Sequence, residues 1–358
     1  MATESGNINH VGVGLSGGVD SAAACLKLLE SGCEVTGFTM LLNDMGEATV
    51  EKGAKVAHVL GVPHVVLDLR EDFERLILRR FVGDYASGLT PSPCVVCNAE
   101  FKFGALWKAV AAHGCGRLAT GHYARTALID GRQALLRGLD RRKDQSYFLA
   151  QLTSDQLSRA VFPLGDAEKT ELKEKIHSLG IVPRSEGESQ DLCFLPQGNF
   201  AEFVSRRRPD LVKDGPVVDL AGHVLGRHHG AFQFTPGQRR GLGLGGGPWF
   251  VAKNDVVNNV VTVAHAEDMV CRELVLRGMN WLVDEPAIGE PFEAAVQIRY
   301  LMTPREATLV PGPSGTARLR FHEAIMAAPP GQLAVAYNGD QVVASGWICP
   351  QNDDRQTP

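Results

Sequence analysis

Residues 11–21, VGVGLSGGVDS, constrain the fold of this chain more than any other segment. Alternate apolar residues up to Leu15 predict a buried strand, Gly17 and Gly18 predict a turn, and apolar periodicity predicts a helix over 20–30. A glycine turn that leads directly into a helix exposes first-turn N–H groups without intrahelical partners, at the positive end of the helix dipole. The segment therefore predicts a phosphate-binding site at the end of a strand.

The sequence around this site alternates strand-like and helix-like segments, then changes character. Strands are predicted at 10–15, 34–41, 64–67 and 117–120, and helices at 20–30, 50–60, 70–86 and 99–112. This alternation is typical of a doubly wound parallel α/β sheet, in which ligands bind at the carboxyl ends of the strands. Glycine- and histidine-rich sequence follows residue 200. Short β-branched runs (256–264, 292–300, 317–321, 333–337 and 341–347) then predict a small antiparallel barrel.

Composition narrows the class of protein. A chain of 358 residues with 44% hydrophobic and 22% charged residues is expected to form a globular protein of two or three domains. No apolar run is long enough to span a membrane, and the polar N-terminus does not resemble a signal peptide, so we expect a cytoplasmic protein without membrane contact. The net charge of −5 argues against bulk attraction to nucleic acid, although residues 200–245 hold seven Lys or Arg and four Asp or Glu.

Three of the eight cysteines are candidates for chemistry. In the cytoplasm structural disulfides are not expected. Cys94 and Cys97 lie in a proline-rich segment before a helix predicted to start near Asn98, where the helix N-terminus would stabilise a thiolate at Cys97. Cys193 lies in SQDLCFL, far away in sequence. The remaining five are expected to be buried or incidental thiols: Cys25, Cys33, Cys115, Cys271 and Cys349.

Six ordered motifs carry a family resemblance. SGGVDS resembles the loop of ATP pyrophosphatases and differs from a Walker A loop, because no lysine follows the glycines. It is followed in order by CNAEFKF, ATGHYAR, KDQSYFL, SQDLCFL and FTPGQRRGLG. Over nearly its whole length the chain resembles the tRNA-specific 2-thiouridylases of the MnmA type. The resemblance implies an ATP pyrophosphatase domain for adenylation and thiolation (1–200), a small basic, β-rich central domain (201–247) and a tRNA-contacting C-terminal β-barrel (248–358).

The resemblance implies ATP-dependent 2-thiolation of the wobble uridine of tRNA by a sulfurtransferase. The enzyme would adenylate the uracil C2 oxygen and then transfer sulfur, giving 2-thiouridine, AMP and pyrophosphate. ATP and Mg²⁺ would be the cofactors, with Asp20 on the metal. The ATP-binding residues would be Gly14, Leu15, Ser16, Gly17, Gly18, Val19, Asp20, Ser21, Met40 and Gly121.

By resemblance Cys193 carries a persulfide from a sulfur-relay donor protein, and Cys97 is the nucleophile that ends in a transient disulfide with Cys193. Ser92, Pro93 and Cys94 would form the loop that faces the target base. Many family members have Asp where this chain has Cys94. Three thiolates at Cys94, Cys97 and Cys193 could instead hold a [4Fe-4S] cluster or zinc, or Cys94 could resolve the persulfide. An acidic insertion that many members carry after Met40 is also missing, so its contacts are not transferred.

tRNA, and not DNA, is the implied partner, bound at its anticodon region. Matching motifs place tRNA contacts at His122, Lys143, Asp144, Gln145, Arg299, Tyr300 and Gln332. Basic runs at 141–143, 206–208 and 239–240 could follow the phosphate backbone, although such runs are often solvated faces. The histidines His223, His228 and His229 lack the cysteine spacing of a metal site.

Three other functions remain open from the sequence. Other enzymes with this loop adenylate small metabolites, but they do not explain the cysteine motifs. A non-catalytic nucleotide- or RNA-binding module that senses redox state through its thiols is a second possibility. A thiouridylase for another tRNA position is a third, disfavoured by KDQSYFL and FTPGQRRGLG.

Overall fold

The computed structural model describes residues 7–44, 46–185, 192–195, 199–326 and 328–350. They form two compact units: the first comprises the described residues of 1–77, 94–190 and 340–342, and the second those of 78–93, 191–339 and 343–358. The helices are α1 Val19–Glu30, α2 Glu47–Leu60, α3 Arg70–Phe73, α4 Arg79–Ala86, α5 Pro93–Val96, α6 Trp107–Ala111, α7 Ser146–Leu149, α8 Ser154–Arg159, α9 Lys169–Ser178 and α10 Phe200–Arg207. Two π-helical segments, Glu74–Leu78 and Cys97–Leu106, join α3 to α4 and α5 to α6.

The strands alternate with helices at first and then follow one another. They are β1 Asn7–Gly14, β2 Glu34–Leu41, β3 His64–Asp68, β4 Cys115–Ala119, β5 Ala124–Ile129, β6 Arg132–Arg137, β7 Ala160–Val161, β8 Gly215–Val218, β9 Val224–His228, β10 Phe250–Asp255, β11 Val260–Ala264, β12 Val270–Trp281, β13 Phe292–Gln297, β14 Arg305–Pro311, β15 Thr316–Met326, β16 Leu333–Asn338 and β17 Gln341–Ile348.

The first unit is built on a parallel sheet of order β3-β2-β1-β4-β7, which confirms the predicted α/β fold. Because β2 and β4 flank β1 on opposite sides, the strand order reverses at β1, where ligands bind in such sheets. The core joins Val11 and Val13 of β1 to Cys25 of α1 and to Leu172 and Ile176 of α9. Burial raises the pKa of the Cys25 thiol to about 11, as expected for a structural cysteine.

The second unit holds two β structures. A four-stranded sheet of order β10-β11-β8-β9 packs with α4 and α10 around Phe81, Phe232 and Val251. Strands β12 to β17 form a closed six-stranded antiparallel barrel, because β12 pairs with both β15 and β17. This confirms the predicted C-terminal barrel.

One strand prediction differs from the structure. The strand expected at 256–264 begins only at Val260 and pairs with β10 and β8 in the four-stranded sheet, not in the barrel. A turn containing Asn259 (φ 54°) separates β10 from β11. Strand β10 was not predicted, because its second half, Lys253–Asp255, is polar and breaks the apolar pattern. No helix among the described residues is both long and apolar enough to cross a bilayer.

Candidate active site

The backbone of the loop between β1 and α1 is fixed by its neighbours. Leu15 N–H donates to the Phe38 carbonyl at 2.8 Å, and the Leu15 carbonyl accepts the Thr39 hydroxyl at 2.5 Å. Gly17 has a φ of +80°, and a Cβ there would lie 2.4 Å from the Cβ of Lys52 and 2.6 Å from its carbonyl carbon. Glycine at 17 is therefore required both for its conformation and for the close approach of α2.

The start of α1 has the features expected of an anion-binding site. The helix begins at Val19, and its N-cap residue, Gly18, has no side chain that could accept hydrogen bonds from the first-turn N–H groups. The Ser21 hydroxyl donates to the Gly18 carbonyl at 2.9 Å, and the Ser16 hydroxyl lies 3.3 Å from that of Ser21. Backbone amides and two hydroxyls thus converge at the positive end of a 12-residue helix.

Asp20 is held by two side chains that are distant in sequence. The Tyr123 hydroxyl donates to Asp20 Oδ1 at 2.9 Å, and Lys169 Nζ donates to Asp20 Oδ2 at 3.0 Å. The Lys169 ammonium also lies 5.6 Å from the centre of the Tyr123 ring. Sequence reasoning identified neither partner, although Tyr123 belongs to the ATGHYAR motif. Mg²⁺ in nucleotide sites is usually bound by one or two carboxylates together with substrate phosphates. The Asp20 carboxylate therefore fits the predicted role of metal ligand.

Gly121 and Met40 lie at the same edge of the sheet as the loop. A Cβ at Gly121 would lie 2.8 Å from the Asp20 carbonyl carbon and 2.9 Å from its oxygen, so a side chain there would displace the first turn of α1. Met40 lies one residue before the end of β2, opposite Leu67 of β3. The residues predicted to bind ATP thus lie at the carboxyl ends of β1, β2 and β4, and their contacts with a nucleotide stay predictions.

The helix that carries two of the cysteines begins earlier than predicted. It starts at Pro93, not near Asn98, so Cys94 lies in the first turn and Cys97 begins the π-helical segment Cys97–Leu106. The prediction that Cys97 lies at the helix N-terminus is therefore wrong. Proline is favourable at a first helical position because its missing N–H has no intrahelical role there. Cys94 is exposed and Cys97 is half-buried.

Cys193 is exposed on a turn between apolar residues. Leu195 N–H donates to the Leu192 carbonyl at 2.9 Å, which closes the turn. The Phe194 ring packs edge-on against Phe81 at 5.1 Å and also contacts Phe203 at 5.6 Å. The apolar neighbours anchor the turn in the core of the second unit and leave Cys193 exposed. Cys97 belongs to the first unit, and its pairing with Cys193 stays a prediction.

Two of the predicted tRNA contacts make hydrogen bonds inside the first unit. Asp144 Oδ1 accepts the N–H groups of Gly138 and Ser146 at 3.0 Å. Gln145 Oε1 accepts Tyr123 N–H at 3.0 Å, and Gln145 N–H donates to the Tyr123 carbonyl at 2.9 Å. These side chains order the segment that presents Tyr123 to Asp20. Lys143 is half-buried, and RNA contact at the three positions stays a prediction.

His122 is buried beside these residues. The residue is only 9% exposed, and its Nδ1 atom lies 2.7 Å from the Thr120 hydroxyl. Burial lowers the pKa of His122 well below its ordinary value of 6.5, and the charge of Lys102 lowers it further. The imidazole is therefore neutral at neutral pH and cannot attract RNA by charge.

In the second unit, Gln332 makes hydrogen bonds to the segment that precedes the predicted target-base loop. Its amide donates to the carbonyls of Thr90 at 3.0 Å and Pro91 at 3.3 Å. Thr90 N–H donates to the Pro330 carbonyl at 2.8 Å, and Ser92 is buried. Gln332 therefore positions the chain that leads to Pro93 and Cys94. Arg299 is exposed beside a cavity of about 350 Å³, and Tyr300 is half-buried.

Several residues of the predicted basic runs are paired with carboxylates. Arg206 pairs with Glu202, Arg208 with Asp210 at 2.7 Å, and Arg141 with Asp340 at 2.5 Å. These pairs reduce the net charge that the runs present to a phosphate backbone. Arg239 and Arg240 are exposed, and Arg239 lines a cavity of about 410 Å³ together with Trp249.

A metal site needs several His, Cys, Asp or Glu side chains close together. In the part of the chain that the structure describes, no group of three His, Cys, Asp or Glu side chains could hold a metal ion. The three histidines singled out in the sequence have other partners: His223 pairs with Asp219, His229 pairs with Asp214, and His228 Nδ1 accepts Gly230 N–H at 3.0 Å.

Known proteins resemble the chain over almost its full length. Family models described as the tRNA methyl transferase HUP domain, the tRNA methyl transferase PRC-barrel domain and the aminomethyltransferase beta-barrel domain match residues 9–197, 201–265 and 271–348. A tRNA-specific 2-thiouridylase MnmA from Syntrophotalea carbinolica is 41% identical, over 95% of this chain and 98% of that protein. Proteins of the same name from Magnetococcus marinus (40%; 95% and 98%) and Rickettsia massiliae (39%; 94% and 95%) are similar. The chain belongs to the tRNA-specific 2-thiouridylase family.

Proposed function

We propose that this protein uses ATP to convert the wobble uridine of tRNA to 2-thiouridine. The observation that carries the proposal is the start of α1, where Gly17 allows the close approach of α2 to the loop and Gly121 allows the chain after β4 to approach Asp20. Relatives of nearly the same length are named for 2-thiolation of tRNA. The same chain also presents Cys97 and Cys193 outside its buried cores.

The first step activates the uracil. The C2 oxygen attacks the α-phosphorus of ATP, the bond from that phosphorus to the bridging oxygen breaks, and pyrophosphate leaves. Amides of the loop and the hydroxyls of Ser16 and Ser21 would stabilise charge on the phosphates. Asp20 would hold Mg²⁺ together with phosphate oxygens, and the metal would supply charge neutralisation when bound.

The second step delivers sulfur. The Cys97 thiolate attacks Sγ of a persulfide on Cys193, forming the Cys97–Cys193 disulfide and releasing hydrosulfide. Hydrosulfide attacks C2 and AMP departs, which leaves the thiocarbonyl. The sulfane sulfur is reduced as the two thiols are oxidised, and an external dithiol must then reduce the disulfide. The exposed turn at Cys193 suits loading by a sulfur-relay donor protein.

An iron–sulfur cluster is the alternative sulfur source, because Cys94 stands where an acidic residue is common in the family. We assign no step to a cluster. Iron and acid-labile sulfide, measured on anaerobically purified protein, separate the two routes: stoichiometric amounts favour the cluster, and their absence from active protein favours the persulfide.

Release of pyrophosphate tests the activation step. We expect tRNA to stimulate pyrophosphate release from ATP by the wild-type protein and by Cys97→Ser and Cys193→Ser, because adenylation needs neither thiol. Gly17→Val should abolish release, since its side chain would strike α2. Gly83→Ala, within α4 and with nothing within 4 Å of the added Cβ, is the control. Binding of ATP and tRNA without release would favour the non-catalytic module.

A further inference from the structure

We propose that Lys169 is a catalytic cation that binds the β- and γ-phosphates of ATP and the departing pyrophosphate. The inference rests on the proposed function and adds a residue to its adenylation step. The loop itself carries no lysine, so amides, hydroxyls and one metal ion would otherwise face the phosphates alone. A second cation would stabilise the charge that develops as pyrophosphate leaves.

Lys169 is placed at the loop and shielded from solvent. Its ammonium lies 3.0 Å from Asp20 Oδ2, and its side chain is only 13% exposed. Asp20 is the second residue of α1, next to the amides that form the anion site. A lysine ammonium has a flexible four-carbon stem, so moving from this carboxylate to a phosphate at the same helix terminus needs only side-chain rotation.

The backbone of Lys169 is fixed relative to the loop. It is the first residue of α9, and Leu172 and Ile176 of this helix share a core with Ala22 and Cys25 of α1. The ammonium is therefore held on the same rigid pair of helices as the anion site. This preorganisation is what a transition-state cation requires.

A purely structural ion pair would not need these features. Lys175 of α9 already joins α1 through Glu30 at 2.6 Å, with both side chains about half exposed. Asp20 already accepts a hydrogen bond from Tyr123. Lys169 instead pairs with the carboxylate that would hold Mg²⁺. If Asp20 held the metal, the Lys169 ammonium would be left within reach of the phosphates.

Binding of a nucleotide series tests the contact. Calorimetry with ATP, AMP and inorganic pyrophosphate is run on wild type and Lys169→Met, with Lys175→Met as the matched control. We expect Lys169→Met to weaken ATP and pyrophosphate binding by about tenfold or more, the range of charged hydrogen bonds, while AMP affinity changes less than about twofold. Lys169→Arg should recover part of the preference for ATP.

A second experiment tests whether Lys169→Met acts only through Asp20. It uses protein in which Asp20 has been replaced. Without divalent metal, Lys169→Met is compared with its parent in Asp20→Asn protein. If Lys169 contacts phosphate, the Lys169→Met substitution still weakens pyrophosphate binding in this background. If Lys169 serves only to neutralise Asp20, the substitution has no effect there. Equal weakening of ATP and AMP, with a lower Tm, would show a structural role and overturn the inference. Failure of wild type to bind ATP would instead refute the proposed function.

Discussion

At the scale of single residues, the site depends on contacts over long sequence separations. Glycines in the loop are predictable, because a strand that turns into a phosphate-binding helix needs positive φ and close approach. The partners of Asp20 are not, since Tyr123 is 103 and Lys169 is 149 positions away. Only the folded sheet brings β4 and α9 to β1, so local pattern carries no signal of these bonds.

His122 gives a residue-scale prediction. Its depressed pKa means that the unfolded chain binds a proton more readily than the folded one below pH 6.5. Stability should therefore fall as the pH drops below about 6.5, with a contribution from His122 of at most about 1.4 kcal/mol per pH unit. His122→Gln should have a correspondingly shallower decline.

Urea unfolding at pH 5.5, 6.5 and 7.5 measures this difference. His265→Gln is the control, because the His265 side chain is only half-buried. Identical pH dependence in wild type and His122→Gln would contradict a buried, neutral imidazole.

At the scale of elements, the positions of Cys97 and Cys193 follow from helix geometry and packing rather than from motif spacing. The helix near Cys97 starts at Pro93, because proline suits the first turn of a helix. The motif alone suggested a later start, which misplaced Cys97 relative to the helix N-terminus. The Cys193 turn is likewise defined by Phe194, whose ring contacts come from α4 and α10.

Phe194→Ala tests whether this anchoring positions Cys193. We expect a loss of stability of about 1–2 kcal/mol, less than for a fully buried Phe because the side chain is only partly buried. Sulfur transfer should slow at least about tenfold while tRNA-stimulated pyrophosphate release is retained, because the proposed mechanism uses this turn only in its second step.

Phe200→Ala is the matched control, since it removes a ring of the same cluster that stacks on Tyr85 of α4 at 4.5 Å. Single-turnover formation of 2-thiouridine is compared with pyrophosphate release in both variants. Equal losses of sulfur transfer in the two variants would mean that the ring stabilises the core and does not position the thiol.

At the scale of the whole molecule, sequence periodicity predicts both β architectures. Long alternating segments reveal the parallel sheet, and short β-branched runs reveal the six-stranded barrel. Strand β10 is not predicted in this way, because its end, Lys253–Asp255, is polar and it pairs with β11 across a turn. The boundaries 1–200, 201–247 and 248–358 stay predictions.

The proposed function requires Cys97, which belongs to the first unit, and Cys193, which belongs to the second. The most direct measurement is nucleoside mass spectrometry on unmodified tRNA incubated anaerobically with protein, ATP, Mg²⁺ and a sulfur donor. Wild type should form 2-thiouridine at the wobble position, and Cys193→Ala should form none. Cys33→Ala, outside the motifs, should match wild type. Wild-type protein that releases pyrophosphate but forms no 2-thiouridine, or Cys193→Ala that forms it normally, would contradict the proposed sulfur transfer.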